Sequence, residues 1–352
     1  MSPSRRHFLD LGLAFGLAAA LDACGPRKLA TKPGGPPPGR PLDTHRLDHA
    51  FPALAARARP GAFAFGVMDL ATTTAWYWNT NRGFPLASAS AAPVAAAALA
   101  QVDLGKLSLD ERVGFDALDL SPPPSLIAAA FPAGAGKQRH SIRAADLFAL
   151  AVREGDATAI DVLAGRIGGP GAVGAFLQMK GITGLRVDRY KRETLVAMFG
   201  MPTFRPAWKS VAAFDAARDQ IAPGARQAAM DAFIVDQRDT STVPAALGFL
   251  AMLADGELVS PRSTALLLGW MATAPGSRFR PGLPAGVRLA HVGGATPGDL
   301  GYTPAAAELA IATWPNGRRY ALAGFLVAST GTAAQRSALF ADAARLAAGA
   351  IG

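Results

Sequence analysis

The alternation of apolar and polar positions divides this chain into a β-rich start, a helical middle and a β-rich end. Between 43 and 58, apolar residues recur at Leu47, Phe51, Leu54 and Ala55, the spacing of one helix face. Arg59-Pro60-Gly61 stops that helix. Phe63, Phe65 and Val67 then alternate with small residues, and Trp76 and Trp78 resume the alternation after Thr72-Thr73-Thr74, which predicts a hairpin. From 88 to 102 the chain is almost wholly apolar and alanine-rich, so the helix predicted there has no polar face and belongs in the interior. Two helical stretches fill 141–168, joined at Gly155-Asp156-Ala157. Gly168-Gly169-Pro170-Gly171 breaks the pattern before a helix over 172–180. Helices follow at 243–253 and 261–270, the second with Ser260 as cap and Pro261 at its first position. Alternation returns at 287–292 and 308–314. Asn316-Gly317 is a hairpin turn into a strand over 319–328, and a last helix covers 332–348. Strands at both ends with helices between them imply an α+β fold: one antiparallel sheet built from both chain ends, packed with helices, plus an all-helical subdomain.

The first 23 residues read as an export signal. Arg5-Arg6 precedes an apolar run over 11–21 that is too short to cross a bilayer, and Ser4-Arg5-Arg6-His7-Phe8-Leu9 resembles a twin-arginine motif. Leu21-Asp22-Ala23-Cys24 resembles a lipobox, which makes Cys24 the expected lipid-attachment site; the alternative is ordinary cleavage nearby and a soluble periplasmic protein. Residues 24–42, rich in Pro, Gly and basic side chains, read as a tether, and the folded domain is expected over 43–352.

Composition narrows the function classes. Half of the 352 residues are hydrophobic and 17% are charged, which excludes a disordered chain. The net charge of +9 comes partly from the first 40 residues, and no basic stripe with interleaved aromatics marks a nucleic-acid partner. A single cysteine makes no internal disulfide. His45 and His49 stand at i and i+4, but no Glu follows the first in the zinc-protease manner, so they read as exposed helix residues; neither a metal nor a cofactor is expected.

Several segments, in order, resemble a class A β-lactamase over about 42–352. Phe84-Pro85-Leu86-Ala87-Ser88 is similar to the segment that delivers that family's nucleophilic serine. The run 104–113, Gly168-Gly169-Pro170, Arg238-Asp239-Thr240-Ser241-Thr242, Leu267-Leu268-Gly269-Trp270 and Gly282-Leu283-Pro284-Ala285-Gly286 match framework segments. The resemblance implies the serine β-lactamase fold and, in a complete member, hydrolysis through an acyl-serine.

Most of the chemistry is replaced. A serine hydroxyl needs a base, which the family supplies as a lysine three residues on; here Ala91 stands there. The serine-aspartate-asparagine motif reads Gly155-Asp156-Ala157. The deacylating glutamate of the Ω-loop falls on Lys191, with Glu193 two residues on as a weak candidate base. The lysine-threonine-glycine strand reads Val292-Gly293-Gly294. Ser88 is thus either a surviving nucleophile or a helix N-cap, and Asp156, Gly293 and Gly294 stand at the motif positions for substrate binding. An insertion over 192–237 carries Phe199, Met201, Phe204 and Trp208 and two helical runs. It reads as a lid or partner surface, or as packing on the body.

Three readings follow. The first is a catalytically degenerate envelope protein that binds or scaffolds a small-molecule, peptidoglycan-like or protein partner, touching the membrane only through its lipid. The second is a serine hydrolase using Ser88 with a rebuilt base, Glu193 or a residue of the insertion. The third is a purely structural lipoprotein whose former cleft is filled.

Overall fold

In the computed structural model, residues 40–132 and 138–351 are described. The export signal, Cys24 and the tether up to residue 39 lie outside them. The body begins slightly before position 43. Leu42 is buried among residues of the C-terminal helix layer, and the Asp43 N–H donates to the Ala350 carbonyl, so the tether's last residues are already docked.

The sheet draws β1 (Ala62–Asp69) and β2 (Ala75–Trp78) from the start of the chain. Two short pairs follow: β3 (Phe84–Pro85) with β6 (Thr240–Ser241), and β4 (Arg112–Phe115) with β5 (His140–Arg143). From the end of the chain come β7 (Arg288–Ala295), β8 (Thr303–Thr313) and β9 (Arg319–Ser329). The five long strands run in the order β2-β1-β9-β8-β7, all antiparallel. This is the α+β arrangement expected from strands at both chain ends.

Strand β8 starts five residues earlier than alternation predicts. After Thr303 its opening, Pro-Ala-Ala-Ala307, lacks the β-branched residues that mark strands, and pairing with β7 and β9 overrides that weak local preference. Likewise His140–Arg143 pairs as a strand before the helix Ala144–Glu154 begins.

Both faces of the sheet are covered. On one face the helices Thr44–Ala56 and Ala333–Ile351 pack through Phe51, Phe63, Phe65 and Phe340; ring centroids lie 5.5 Å apart for Phe51–Phe65 and 5.2 Å for Phe63–Phe340. On the other lie Val243–Ala254 and the helical subdomain, centred on Ala91–Asp103. Every residue from Ala91 to Leu99 is buried, as expected for a helix with no polar face. Its alanines let four neighbouring helices approach: Ala144–Glu154, Ala157–Arg166, Pro170–Met179 and Pro261–Ala272.

The insertion folds as helices Lys191–Ala197, Val211–Arg218 and Pro223–Val235. Phe199, Phe214, Met230 and Phe233 are buried in the main core, so its apolar residues serve packing. Close approach is set in the sheet too. A Cβ on Gly66 of β1 would lie 2.5 Å from Val243 Cγ1, so this strand meets its helix only through a residue without a side chain. Gly66→Val is therefore expected to overpack the contact and cost about 1–3 kcal/mol, read as a lowered thermal midpoint; an unchanged midpoint would refute the constraint.

Candidate functional site

Ser88 lies in the single 3-10 turn Ala87–Ser90 between β3 and the buried helix. The turn is strained: Ala87 has φ of 46°, a conformation costly for a residue with a side chain. Two donors hold its carbonyl, the Ser90 hydroxyl at 3.1 Å and the Lys191 amine at 2.9 Å. Ser88 does not cap the helix. The cap position falls to Ser90, whose hydroxyl turns back to Ala87 and makes no cap bond. Ser88 is half-buried, and among the described residues its hydroxyl has no hydrogen-bond partner.

Two glycines wall this hydroxyl. A Cβ on Gly294 of β7 would lie 2.7 Å from Ser88 Oγ, so this glycine permits strand and nucleophile turn to touch. A Cβ on Gly155 would lie 3.0 Å from Ser88 Cβ and 3.1 Å from its Oγ. Gly155 also ends the helix Ala144–Glu154 with φ of 64°, the left-handed region that glycine enters without penalty. Gly293 faces the other way, with its Cβ position 2.4 Å from the Ala307 carbonyl oxygen on β8. Val292 is buried in the core.

The remaining sequence candidates serve the framework. Asp156 is buried and caps Ala157–Arg166 by accepting from the Ala159 N–H at 2.8 Å; it also accepts from the Ile127 N–H and the Ser125 hydroxyl. Glu193 is exposed, and its carboxylate accepts from the Tyr190 N–H at 2.9 Å at the start of its own helix. It does not line the cleft beside Ser88.

Sequence reasoning treated Lys191 only as a lost glutamate. The structure turns its side chain into the cleft. The residue keeps partial exposure along its length, but protein surrounds the amine. Burial pushes the amine's pKa below its ordinary value; Asp239 and Asp161 oppose that shift and Arg189 adds to it. Ala87, Ser88, Pro124, Gly155, Ala157 and Lys191 line the cleft. Measured as space for a water molecule's centre, it holds about 10 Å³, room for about one water.

The loop that carries Lys191 is pinned at two carboxylates. Asp239 pairs with Arg189 at 2.6 Å and accepts from the Asp188 N–H, the Arg189 N–H and the Thr194 hydroxyl. Asp161 is buried and accepts from the Ser121 hydroxyl at 2.7 Å and from the N–H groups of Lys191 and Arg192. No sequence signal marked Asp161, because its spacing within an apolar helix face shows nothing of the loop folded over it. Among the described residues, no three His, Cys, Asp or Glu side chains gather as a metal site.

A sequence model of the β-lactamase enzyme family matches residues 46–351. The chain belongs to that family. Solved β-lactamases are similar to it over most of their length. One from Chitinophaga pinensis is 24% identical, with a TM-score of 0.70, over 87% of this chain and 99% of its own. A class A enzyme reconstructed as the last common ancestor of Gram-negative bacteria is 28% identical, with a TM-score of 0.66, over 86% of this chain and 98% of its own. The class A fold is therefore kept.

Asp161 gives the loop of this β-lactamase relative a pH signature. Burial pushes its carboxyl up to about 6, against about 3.9 in an unfolded chain. Between about pH 4 and 6 the native state therefore holds a proton that the unfolded chain has lost. The stability this proton provides is present below pH 4 and lost as pH rises through about 6, of order 3 kcal/mol. Urea midpoints measured across this range should fall with pH more steeply in the wild type than in Asp161→Asn; parallel profiles would refute the assignment.

Proposed function

We propose that this protein is a catalytically silent member of the β-lactamase family, acting in the cell envelope as a binding or scaffold protein for a small-molecule, peptidoglycan-like or protein partner. One observation carries this reading: the Ser88 hydroxyl sits between Gly155 and Gly294 without a hydrogen-bond partner, while the nearby amine of Lys191 is engaged with the Ala87 carbonyl. A serine becomes nucleophilic when a base within about 2.6–3.2 Å takes its proton. Alanine at position 91 supplies none. Gly155 and Ala157 cannot relay a proton or hold a substrate amide, and Val292 offers no charge to a substrate carboxylate. A cleft with room for about one water also leaves no space for a bicyclic substrate unless its walls part.

The expected result with a chromogenic cephalosporin is turnover indistinguishable from buffer, and an intact mass without an acyl adduct. Turnover or an adduct that disappears in Ser88→Ala would overturn the reading.

A second reading is favoured by one feature, the enclosed amine whose pKa burial pushes down in the cleft that holds an unpartnered hydroxyl. In that reading Lys191, once neutral, serves Ser88 as base in a serine hydrolase. A fluorophosphonate that labels Ser88 in the wild type and fails to label it in Lys191→Met would favour the hydrolase; no label in either favours the silent relative.

Export and lipid attachment at Cys24 complete the proposal, supported by Arg5-Arg6, the apolar run and the lipobox-like Leu21-Asp22-Ala23-Cys24. The wild type should fractionate with membranes and Cys24→Ala with the soluble envelope fraction. Equal partitioning of the two would rule out the anchor.

A further inference from the structure

The helix Thr44–Ala56 places His45 and His49 one turn apart on its exposed side, with their Nε2 atoms 3.3 Å apart and ring centroids 4.4 Å apart. Two neutral imidazoles meet this way with one Nε2 protonated and the other offering its lone pair. The same span suits a different occupant. Two metal–nitrogen bonds of about 2.0–2.1 Å separate their nitrogens by about 3.3–3.4 Å at a tetrahedral angle and by about 2.8–3.0 Å at the right angle that Ni²⁺ prefers. A metal ion can thus replace the shared proton with a small rotation of the rings, provided the protonated Nε2 passes its proton to Nδ1 of the same ring.

The backbone that carries the pair is fixed independently of it. Asp43 caps the helix through the Arg46 N–H at 3.0 Å, Leu47, Phe51 and Leu54 are buried, and Asp48 accepts from the Trp76 indole at 2.8 Å. One turn further along the same side stand Pro52 and Ala53, both exposed and uncharged, and the neighbouring Arg46 lays its guanidinium against Gly349 of the C-terminal helix.

We propose that His45 and His49 form a two-imidazole chelate for a late first-row divalent metal ion such as Ni²⁺ or Zn²⁺, with water in the remaining positions. Imidazole suits these ions better than Mg²⁺ or Ca²⁺, which prefer oxygen. The pair is separate from the Ser88 cleft, and the proposal stands whether or not Ser88 is reactive.

The test is calorimetric titration of the untagged full chain with NiCl₂, paired with thermal midpoints with and without the metal. One ion per chain is expected, with a metal-dependent rise in midpoint. His45→Ala and His49→Ala should each weaken binding by about tenfold or more, because losing one ligand removes the gain from linking two. The double variant His45→Ala/Ala53→His re-creates the i, i+4 spacing as 49 and 53 and should recover binding. These positions are exposed, and circular dichroism with the metal-free midpoint verifies that each variant is folded. Unchanged affinity in the single variants, no binding by the wild type, or no recovery in the folded double variant would overturn the proposal.

Discussion

The carboxylate of Asp239 is the joint on which the site depends. On one side it gathers the Asp188 and Arg189 N–H groups, the Arg189 guanidinium and the Thr194 hydroxyl, which fixes the loop around Lys191. On the other, its own backbone carbonyl accepts from the Leu86 N–H, two residues before Ser88. A single residue thus locks together the segment that carries the serine and the loop that faces it. The Arg189–Asp239 pair is mostly buried, and removing one partner of such a pair strands the other charge in a poor solvent, a loss of about 3–5 kcal/mol. Lys191 reaches Ala87 because this joint leaves the loop no freedom to carry its first helical turn elsewhere.

The residues around Ser88 are consequently tied into a connected arrangement of their own. Lys191 supports the strained Ala87 peptide by donating to its carbonyl. Gly155 supplies the left-handed turn that ends a helix and at the same time lies against Ser88. Asp156, retained from the motif, works as a helix cap and as an anchor for the 125–128 backbone. Each of these three residues has a mechanical task that does not require turnover.

The architecture was largely legible in the sequence. The alanine run at 91–103, the strands at both ends and the Asn316-Gly317 turn all rest on local pattern, and local pattern agreed with tertiary packing there. It failed where packing outvoted propensity, as at the alanine-rich opening of β8 and at the 140–143 strand. The site was half legible. The missing lysine, glutamate and asparagine could be read by position, and so could Ser88. The direction of the Lys191 side chain, the burial of Asp161 and the fit of Gly294 against Ser88 Oγ arise from contacts between segments distant in the chain, for which spacing along one strand or helix carries no signal. Glu193 and Ser88 illustrate the same limit from the other side: Glu193 looked chemical and instead accepts from the Tyr190 N–H, and Ser88 looked like a cap while the cap position falls to Ser90.

The left-handed turn at Gly155 bears on the direction in which such a protein can change. A serine returned to that position would have to occupy a backbone conformation unfavourable to side chains while its Cβ stood 3.0 Å from that of Ser88. A lysine placed at position 91, now wholly enclosed, would bring a second amine into packing that already holds the Lys191 amine against the Ala87 carbonyl. Each substitution taken singly therefore meets a packing cost that its neighbours would have to move to relieve.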